Sequence, residues 1–395
     1  MTQPLRVLSL YEGFFAGGAR VLHSDVVAGL HAGGQQHSVL SIAANARREG
    51  TVQHMTADHR YQKLVASGVG VRTLGRTAGA QAPARSDYTA EQLELAAEAL
   101  SDADVVLSLK EQPVALLLAL QARGLMPDVP VAACLHRSDP GHSGDALLWL
   151  REAADRGIVT TTIACAQSTA EAYADAGVLP ASRLVITNGV DIRRFRPGRA
   201  AERAAMRRQI GVPGDVPVVV FAARFDAMKD PELFLRAVAR HSRRGRAHYL
   251  LCGAGMSADN PALMDLIARA GAAGANLHLL GIRNDMEVIY RIADIVALTS
   301  AFGEASPLCL LEGAASGAVP VTTDVGDAAR ETAGFGVVTP RDPDAIAAAW
   351  DDVLGSLRGL RGDAIAARGR LDRARMIAQY GQALSTLAPA AALAA

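Results

Sequence analysis

Short apolar runs alternate with amphipathic stretches along the whole chain. The runs are rich in valine, leucine and isoleucine and predict β-strands, whereas the stretches between them carry apolar residues at helical spacing. The predicted strands are Leu5–Leu10, His37–Ile42, Val105–Leu109, Val131–Leu135, Thr161–Cys165, Leu184–Thr187, Val216–Ala222, His248–Cys252, Leu277–Leu280, Ile295–Leu298 and Val319–Thr322. Alternation of this kind predicts an α/β fold of parallel sheets covered by helices on both faces.

The alternating pattern restarts after the sequence Phe195-Arg196-Pro197-Gly198. A Pro-Gly pair followed by the charged stretch Arg199–Gln209 predicts a linker and then the first helix of a new domain. We therefore predict two Rossmann-like parallel-sheet domains facing a cleft, over residues 1–197 and 198–395. Loops at the carboxyl ends of the strands would line this cleft, because ligands bind there in open α/β sheets.

Composition and charge exclude several classes of protein. The chain has 395 residues, of which 50% are hydrophobic, so it can bury real cores and is not disordered. Lysine and arginine number 40, as do aspartate and glutamate, and aromatics make up only 4%, so a nucleic-acid partner is not expected. The one basic cluster, Arg240–Arg246, predicts a solvated helix end or a weak peripheral contact with an anionic membrane surface.

Cysteine usage and the N-terminus indicate a reducing, cytoplasmic location. Cys134, Cys165, Cys252 and Cys309 lie far apart in apolar stretches, so neither a disulfide framework nor a zinc site is expected. The first residues lead straight into a strand pattern without the apolar core of a signal peptide. The longest apolar run, Val114–Leu120, is too short to cross a bilayer.

The strongest chemical signal is the segment that runs from Ala301 to Glu312. Ser306 predicts a helix N-cap and Pro307 a first helical residue, so the free amides of this helix form an anion site. Glu304 precedes the cap, and Glu312 lies about 9 Å along the helix axis from it. Two acids that bracket an anion site suit a nucleotide sugar. The alternative for Glu312 is a structural salt bridge within a buried helix, or solvation of that helix.

A second signal consists of two cations in the loop that follows the predicted strand Val216–Ala222. Arg224 lies at the strand end, and Lys229 precedes Asp230-Pro231, a second cap-and-proline helix start. Such a pair suits a diphosphate, although exposed surface cations are an equal alternative. Since the chain has only three lysines, the placement of one of them here favours the diphosphate.

Further candidates lie at other predicted strand ends. Gly17 and Gly18 follow the first strand and Gly253 follows the strand His248–Cys252, where glycine allows a ligand to approach the backbone. His136 follows the strand Val131–Leu135, with an ordinary loop histidine as the alternative. Asp102-Ala103-Asp104 precedes a strand rather than following one, so it predicts a turn, and no catalytic metal is expected.

These residues make the chain resemble the retaining glycosyltransferases of the GT-B fold, family four, also called glycosyl transferases group 1. The resemblance is strongest over residues 183–350 and weaker elsewhere. The segments that carry it are Thr187–Asp191, Ala223–Asp230, Leu280–Asp285, the pair Glu304 and Glu312, and Thr323–Asp327. The resemblance also makes the final helices, about 364–385, candidates to pack back on the first domain.

The resemblance implies a role for each candidate residue. Arg224 and Lys229 would hold the donor diphosphate, Glu304 the transferred sugar and Glu312 the ribose. Further donor contacts would come from the rest of the matched positions, namely Gly17, Gly18, Gly253, Arg283, Ser306, Pro307 and Leu308. His136 would lie near the anomeric carbon, and Arg224, Lys229, Glu304 and His136 would form the catalytic set.

Two positions depart from the family pattern. Members commonly have glutamate where this chain has Arg20, which bears on the acceptor side. They also commonly have glycine after the first glutamate of the pair, where this chain has Ala305.

The sequence therefore predicts a metal-independent retaining hexosyltransferase that uses a UDP- or GDP-linked sugar, without any further cofactor, and an acceptor hydroxyl. No carboxylate is placed as a nucleophile, so we expect front-face substitution, in which the departing phosphate accepts the acceptor's proton. The alternatives are a nucleotide-sugar epimerase or hydrolase of the same fold, or a non-catalytic nucleotide-sugar-binding subunit.

Overall fold

The computed structural model describes residues 3–15, 17–48, 51–79, 81–214 and 216–389. These residues form two units, of which the first contains residues up to Thr187 and again from Met376, and the second contains Asn188–Arg375. Each unit has one parallel α/β sheet, so the predicted fold class of two parallel-sheet domains is confirmed.

The first unit is built on an eight-stranded sheet in the order β3-β2-β1-β5-β6-β7-β8, with β4 also paired to β2. All pairings are parallel except that of β2 with β3. Its elements are β1 (Arg6–Tyr11), α1 (Gly18–Ala32), β2 (Gln36–Arg48), β3 (Thr51–His54), α2 (His59–Ala66), β4 (Gly70–Ala78), α3 (Ala90–Ser101), β5 (Val105–Leu109), α4 (Val114–Ala122), β6 (Val131–Leu135), α5 (Asp145–Asp155), β7 (Thr161–Ala164), α6 (Gln167–Asp175) and β8 (Ser182–Val185).

The second unit is built on a six-stranded, fully parallel sheet in the order β11-β10-β9-β12-β13-β14. Its elements are α7 (Ala200–Gln209), β9 (Val218–Ala222), α8 (Pro231–Arg240), β10 (His248–Cys252), α9 (Pro261–Arg269), β11 (Asn276–Gly281), α10 (Met286–Ile292), β12 (Ile295–Leu298), α11 (Leu308–Ala315), β13 (Val319–Thr323), α12 (Ala328–Thr332), β14 (Val337–Thr339), α13 (Pro343–Gly355) and α14 (Leu357–Ala366). A last helix, α15 (Arg373–Leu387), follows a short 3₁₀ turn.

In each sheet, the order in which strands are added along the chain changes direction between two neighbouring strands. This switch point determines where the loops of interest lie. In the first unit, β1 lies between β2 and β5, and in the second unit β9 lies between β10 and β12. The loops that follow the two neighbouring strands at a switch point can hold a ligand between them. The loops after β9 and β12 carry Lys229 and Glu304, and those after β1 and β5 carry Gly17 and Lys110.

The second unit begins before the predicted boundary at residues 197/198. Val190 forms a parallel bridge with Asp372, and a Cβ on Gly189 would lie 2.7 Å from Cα of Arg373. Phe195 packs in one of the apolar clusters of the second unit. The Pro-Gly pair therefore lies inside the second unit, because the residues before it are already packed there.

The chain returns to the first unit only within α15. A Cβ on Gly29 of α1 would lie 2.7 Å from Cδ1 of Ile377, and Tyr380 is buried beside Cys134. By contrast, α14 and the 3₁₀ turn Ala367–Leu371 belong to the second unit. Of the predicted returning helices, about 364–385, the part from Met376 groups with the first unit.

A buried carboxylate holds the amino-terminal edge of the second sheet. Asp294, which precedes β12 and is 5% exposed, accepts hydrogen bonds from the Val218 amide at 2.9 Å and from three guanidinium groups. The three donors are Arg203 at 2.9 Å, Arg207 at 3.0 Å and Arg361 at 2.6 Å. The carboxylate thus ties α7 and α14 to the start of β9 and β12.

We expect Asp294→Ala to lower the unfolding free energy by about 3 to 5 kcal/mol, because it leaves buried guanidinium groups without their counter-ion. Urea denaturation followed by circular dichroism measures the change. Asp265→Ala, which removes an exposed i,i+4 partner of Arg269, is the matched control and should change the midpoint little. Equal midpoints for the two variants would contradict the structural role of Asp294.

Candidate functional site

Lys229 and Glu304 form an ion pair in the second unit. Lys229 ends the loop after β9, Glu304 lies in the loop after β12, and these strands are neighbours in the sheet. Their side chains are only 16% and 7% exposed. The Ser300 hydroxyl donates a second hydrogen bond, of 2.6 Å, to the same carboxylate oxygen, Oε1 of Glu304. The structure therefore brings together two residues that the sequence placed in separate motifs.

Backbone contacts fix the two loops that carry this pair. The amide of Ala301 donates to the carbonyl of Met228 at 2.8 Å, and the Thr299 hydroxyl lies 3.2 Å from the carbonyl of Lys229 and 3.0 Å from that of Asp230. As predicted, the Asp230 side chain caps α8 by accepting from the Leu233 amide at 3.0 Å. The position of the Lys229 side chain is thus set by both neighbouring strands.

A glycine allows the Glu304 segment to pass close to the loop after β13. Gly326 has a φ of +63°, and a Cβ there would lie 2.1 Å from the carbonyl oxygen of Glu304. The next amide, that of Asp327, donates to the carbonyl of Ala305 at 2.9 Å. The Asn188 side chain donates to the carbonyl of Ser306 at 3.2 Å. Two separate segments therefore hold the backbone that precedes α11.

The start of α11 differs from the prediction. Pro307 is the N-cap rather than the first helical residue, with an extended backbone, and the helix begins at Leu308. The Ser306 hydroxyl does not cap the helix; it is buried, and it lies near the Glu331 carboxyl of α12. The contacts of the Ala305–Ser306 backbone with the segments around Gly326 and Asn188 account for this shift. The first amides of α11 still lie next to Glu304, as an anion site requires.

Glu312 lies on α11, and its side chain is partly buried. Burial raises the pKa of Glu312 to about 7, although the hydrogen bond with the Tyr290 hydroxyl and the charge of Arg194 oppose that rise. Among the residues that the structure describes, no cation lies within ion-pair distance of Glu312. A structural salt bridge, an alternative raised from the sequence, is therefore not observed there. The next residue, Gly313, lets α11 lie against β12, since a Cβ would be 2.5 Å from Val296.

Arg224 and Gly253 lie on adjacent loops of the second unit. Gly253 has a φ of +137°, and a Cβ there would lie 2.0 Å from the carbonyl oxygen of Ala223, so these loops touch. Arg224 itself is exposed, with 65% of its side chain accessible, and pairs with Asp226 at 2.9 Å. Its guanidinium group is thus free to reorient, unlike the ammonium group of Lys229.

Arg283 lies in the loop after β11, next to Ile282, which is 74% exposed. Its guanidinium group forms two hydrogen bonds with Asp285, of 2.8 and 2.6 Å, and these bonds lower the pKa of the Asp285 carboxyl. The loop therefore exposes the apolar side chain of Ile282 beside Arg283, whose charge is paired with that of Asp285.

The first unit carries the other predicted residues. Gly17 is the N-cap of α1 and Gly18 is its first residue. His136 follows β6, and burial, helped by the charge of Lys110, lowers the pKa of His136 to about 3. The imidazole is therefore neutral at physiological pH, with its Nε2 atom buried and unpartnered within the described chain.

Arg20, which stands where relatives commonly have glutamate, is used within its own loop. Its guanidinium group donates to Glu12 and to the carbonyl of Gly13, both at 2.8 Å, and lies 3.5 Å from the ring centroid of Phe15. An acid is thus still present here, but it comes from Glu12 after β1 and is paired with Arg20.

Sequence analysis missed a cluster of polar residues around His136. Lys110, Glu111 and Gln112 directly follow β5, and Arg137 follows His136 after the neighbouring strand β6. One signal was present, because Lys110 is one of only three lysines and comes directly after a predicted strand. Its neighbours in the fold could not be found without the strand order.

Other candidate features have local partners. Asp104 binds Arg6 and Asp102 ends α3, so Asp102-Ala103-Asp104 is the predicted turn. In the basic cluster, Arg243 pairs with Asp351 at 3.3 Å, and Arg240 lies 3.8 Å from Asp344. Within the described ranges, no three potential metal ligands cluster. No helix in those ranges is long and apolar enough to span a bilayer.

Known proteins resemble this chain in both sequence and structure. The family described as Glycosyl transferases group 1 matches residues 216–356. A D-inositol 3-phosphate glycosyltransferase of Nocardia farcinica is 34% identical over 187 residues, which are 45% of this chain and 40% of that protein. A protein of the same name from Mycobacteroides abscessus is 32% identical over 229 residues, which are 56% of this chain and 48% of that protein. The chain thus spans less than half the length of these relatives.

Solved structures match nearly the whole chain. Anabaena Alr3699/HepE in complex with UDP has a TM-score of 0.78 at 20% identity, covering 97% of this chain and all of that one. The sucrose-phosphate synthase of Thermosynechococcus elongatus has a TM-score of 0.72 at 18% identity, and the match covers 97% of this chain and 99% of that one. Residues 216–356 thus match the glycosyl transferases group 1 model, as the resemblance in the sequence indicated, and the chain has the GT-B fold of these structures.

Proposed function

We propose that this chain is a retaining glycosyltransferase that moves a hexose-type sugar from a UDP- or GDP-linked donor to an acceptor hydroxyl, without a metal ion. The observation that carries the proposal is the Lys229–Glu304 pair at adjacent strand ends, beside the first turn of α11. A cation, a carboxylate and free helix amides at one place suit a sugar diphosphate.

The donor diphosphate would bind Lys229, Arg224 and the first amides of α11. An ammonium group has three donors, so Lys229 can keep its bond to Glu304 while it binds a phosphate oxygen. Arg224 is exposed and can swing from Asp226 to a phosphate. Because the leaving nucleoside diphosphate gains negative charge as the glycosidic bond breaks, both cations would stabilise the transition state more than the bound donor.

Glu304 and Glu312 would hold the two ends of the donor. Both described partners of the Glu304 carboxylate use Oε1, so its second oxygen can accept a hydrogen bond from a sugar hydroxyl. Glu312, with a pKa of about 7, is partly protonated near neutrality and can both donate to and accept from ribose hydroxyls. The base would lie against the segment of Ile282 and Arg283.

Front-face substitution suits these residues better than a glycosyl-enzyme intermediate. A nucleophilic carboxylate must be free to attack the anomeric carbon, whereas Oε1 of Glu304 is bound by Lys229 and Ser300 and its second oxygen is assigned to a sugar hydroxyl. In the proposed step, the bond from the anomeric carbon to the phosphate oxygen breaks and the acceptor oxygen bonds to that carbon on the same face. The acceptor proton passes to the departing phosphate oxygen. The neutral imidazole of His136 would orient a hydroxyl group by hydrogen bonding.

The comparisons supply the first substrates to test. Solved structures of Alr3699/HepE hold UDP and UDP-glucose, and the curated relatives are named for D-inositol 3-phosphate. UDP-glucose is therefore the first donor to use.

We expect Lys229→Ala to lower kcat on the order of 100-fold or more, because it removes a leaving-group cation. Initial rates of UDP release from UDP-glucose in the presence of acceptor measure the effect. Arg236→Ala, which removes an exposed cation on α8, should keep the wild-type rate. Since Lys229→Ala leaves Glu304 unpaired, the double variant with Glu304→Gln should restore the melting temperature but not the rate. Wild-type turnover in Lys229→Ala would refute the assignment.

We expect UDP-glucose incubated with enzyme and no acceptor to keep its sugar configuration and to be hydrolysed only slowly. Proton NMR of the recovered nucleotide sugar distinguishes the alternatives. A changed sugar would identify an epimerase, rapid hydrolysis a hydrolase, and tight binding without turnover by any acceptor a non-catalytic subunit.

The Glu312 carboxyl should make stability depend on pH. Its pKa rises from 4.5 to about 7 on folding, so the folded chain holds a proton that the unfolded chain has lost, and stability falls as pH rises through this window. Relative to wild type, Glu312→Gln should therefore gain stability between pH 4.5 and 7. Urea unfolding at several pH values measures this gain, and the exposed-site control Glu94→Gln should show none. Parallel curves for Glu312→Gln and wild type would contradict the raised pKa.

A further inference from the structure

A second polar cluster lies in the first unit and, apart from His136, is not used by the proposed donor chemistry. It consists of Lys110, Glu111 and Gln112 after β5 and His136 and Arg137 after β6. The two strands are paired in parallel, so their carboxyl ends lie side by side. This is the edge of the sheet at which α/β folds bind ligands.

The backbone holds Lys110 in an unfavourable conformation. Its φ is +70°, a region that residues other than glycine rarely occupy. Two hydrogen bonds impose this conformation: the Lys110 amide donates to the carbonyl of Cys134 at 3.0 Å, and the buried Ser108 hydroxyl donates to the carbonyl of Lys110 at 2.9 Å. Such strain is maintained by the surrounding structure and is typical of binding sites.

The two cations of the cluster form no ion pair with a described residue. Neither the Lys110 ammonium group nor the Arg137 guanidinium group forms a hydrogen bond or an ion pair with a described residue. Burial lowers the pKa of Lys110, and the positive charges of Arg20 and Arg137 lower it further, although the Glu111 and Glu12 carboxylates are near enough to Lys110 to raise its pKa against these effects. Arg20 differs from the other two, since Glu12 neutralises it at 2.8 Å. Two like charges are thus held near each other.

Buried acceptor atoms in the same cluster also lack partners. Glu111 is fully buried, and its Oε1 accepts from Ser143 at 3.1 Å, whereas its Oε2 is unpartnered among the described residues. Oε1 of Gln112 and Nε2 of His136 are likewise buried and have no hydrogen-bond partner among the described residues. Native proteins satisfy nearly all buried polar atoms, so several such atoms in one place indicate a polar ligand.

We propose that Lys110 and Arg137 bind an oxyanion of the glycosyl acceptor, while Glu111, Gln112 and His136 bind its hydroxyl groups. A phosphate monoester fits best, because its negative charge complements the two cations and its oxygens match a guanidinium fork and an ammonium group. That the ligand is the acceptor rests on the proposed function, in which the donor diphosphate is held by the second unit. The acceptor is then a phosphorylated polyol or sugar.

Titration calorimetry of the full chain with inorganic phosphate, at constant ionic strength, tests the site. We expect Lys110→Gln and Arg137→Gln each to weaken phosphate binding at least tenfold. Arg123→Gln, which removes an exposed cation after α4 in the same unit, should bind as wild type does. Melting curves identify any variant that fails to fold, and the second variant then decides. Unchanged binding in both variants, or no binding to wild type at millimolar phosphate, would overturn the proposal.

Two further titrations separate this site from the donor site. With saturating UDP present, phosphate should still bind wild type, whereas displacement by UDP would show that phosphate occupies only the donor diphosphate site and would overturn the proposal. Titration of UDP alone tests the proposed function. A chain that does not bind UDP would contradict that function, and the phosphate result would still decide whether Lys110 and Arg137 form an anion site.

Discussion

The buried pairing of Lys229 with Glu304 is the interaction on which the second unit's site depends. Taking two ions out of water costs several kcal/mol for each ion, which their mutual attraction and a further hydrogen bond from Ser300 must offset. The pair spans the loops after β9 and β12, so it fixes the relation of α8 to α11. A diphosphate that binds there meets a lysine whose position is already set, which lowers the entropy cost of binding.

Much of the fold could be predicted because the strands are local patterns. Val105–Leu109, Val131–Leu135, His248–Cys252 and Ile295–Leu298 have the predicted bounds, since each is a short apolar run with clear ends. Strands that are short or half-exposed, such as β3 and β4, lack that pattern and were missed. The domain boundary also differed, because the packing of Gly189 against Arg373 joins segments far apart in sequence.

The candidate site was predictable only as a set of residues, not as contacts. Cap and proline signals located Asp230 and the region of α11, but the helix start shifted because Gly326 and Asn188 hold the preceding backbone. The direct contact of Lys229 with Glu304 requires β9 and β12 to be neighbours, which the sequence does not state. The cluster around Lys110 was missed for the same reason, because its members follow two strands that pair only in the fold.

The cluster around Lys110 differs from the ion pairs found elsewhere in both units, including Arg20 with Glu12 in the first unit. In the second unit the buried cations have acidic partners, with Lys229 on Glu304 and three arginines on Asp294. In the first unit Glu111 accepts from Ser143, and the cations beside it are left without an ion pair in the described chain. An unpaired charge and a strained φ at Lys110 both cost stability, and both are imposed by the same short segment. The anion proposed to bind there would remove the electrostatic part of that cost.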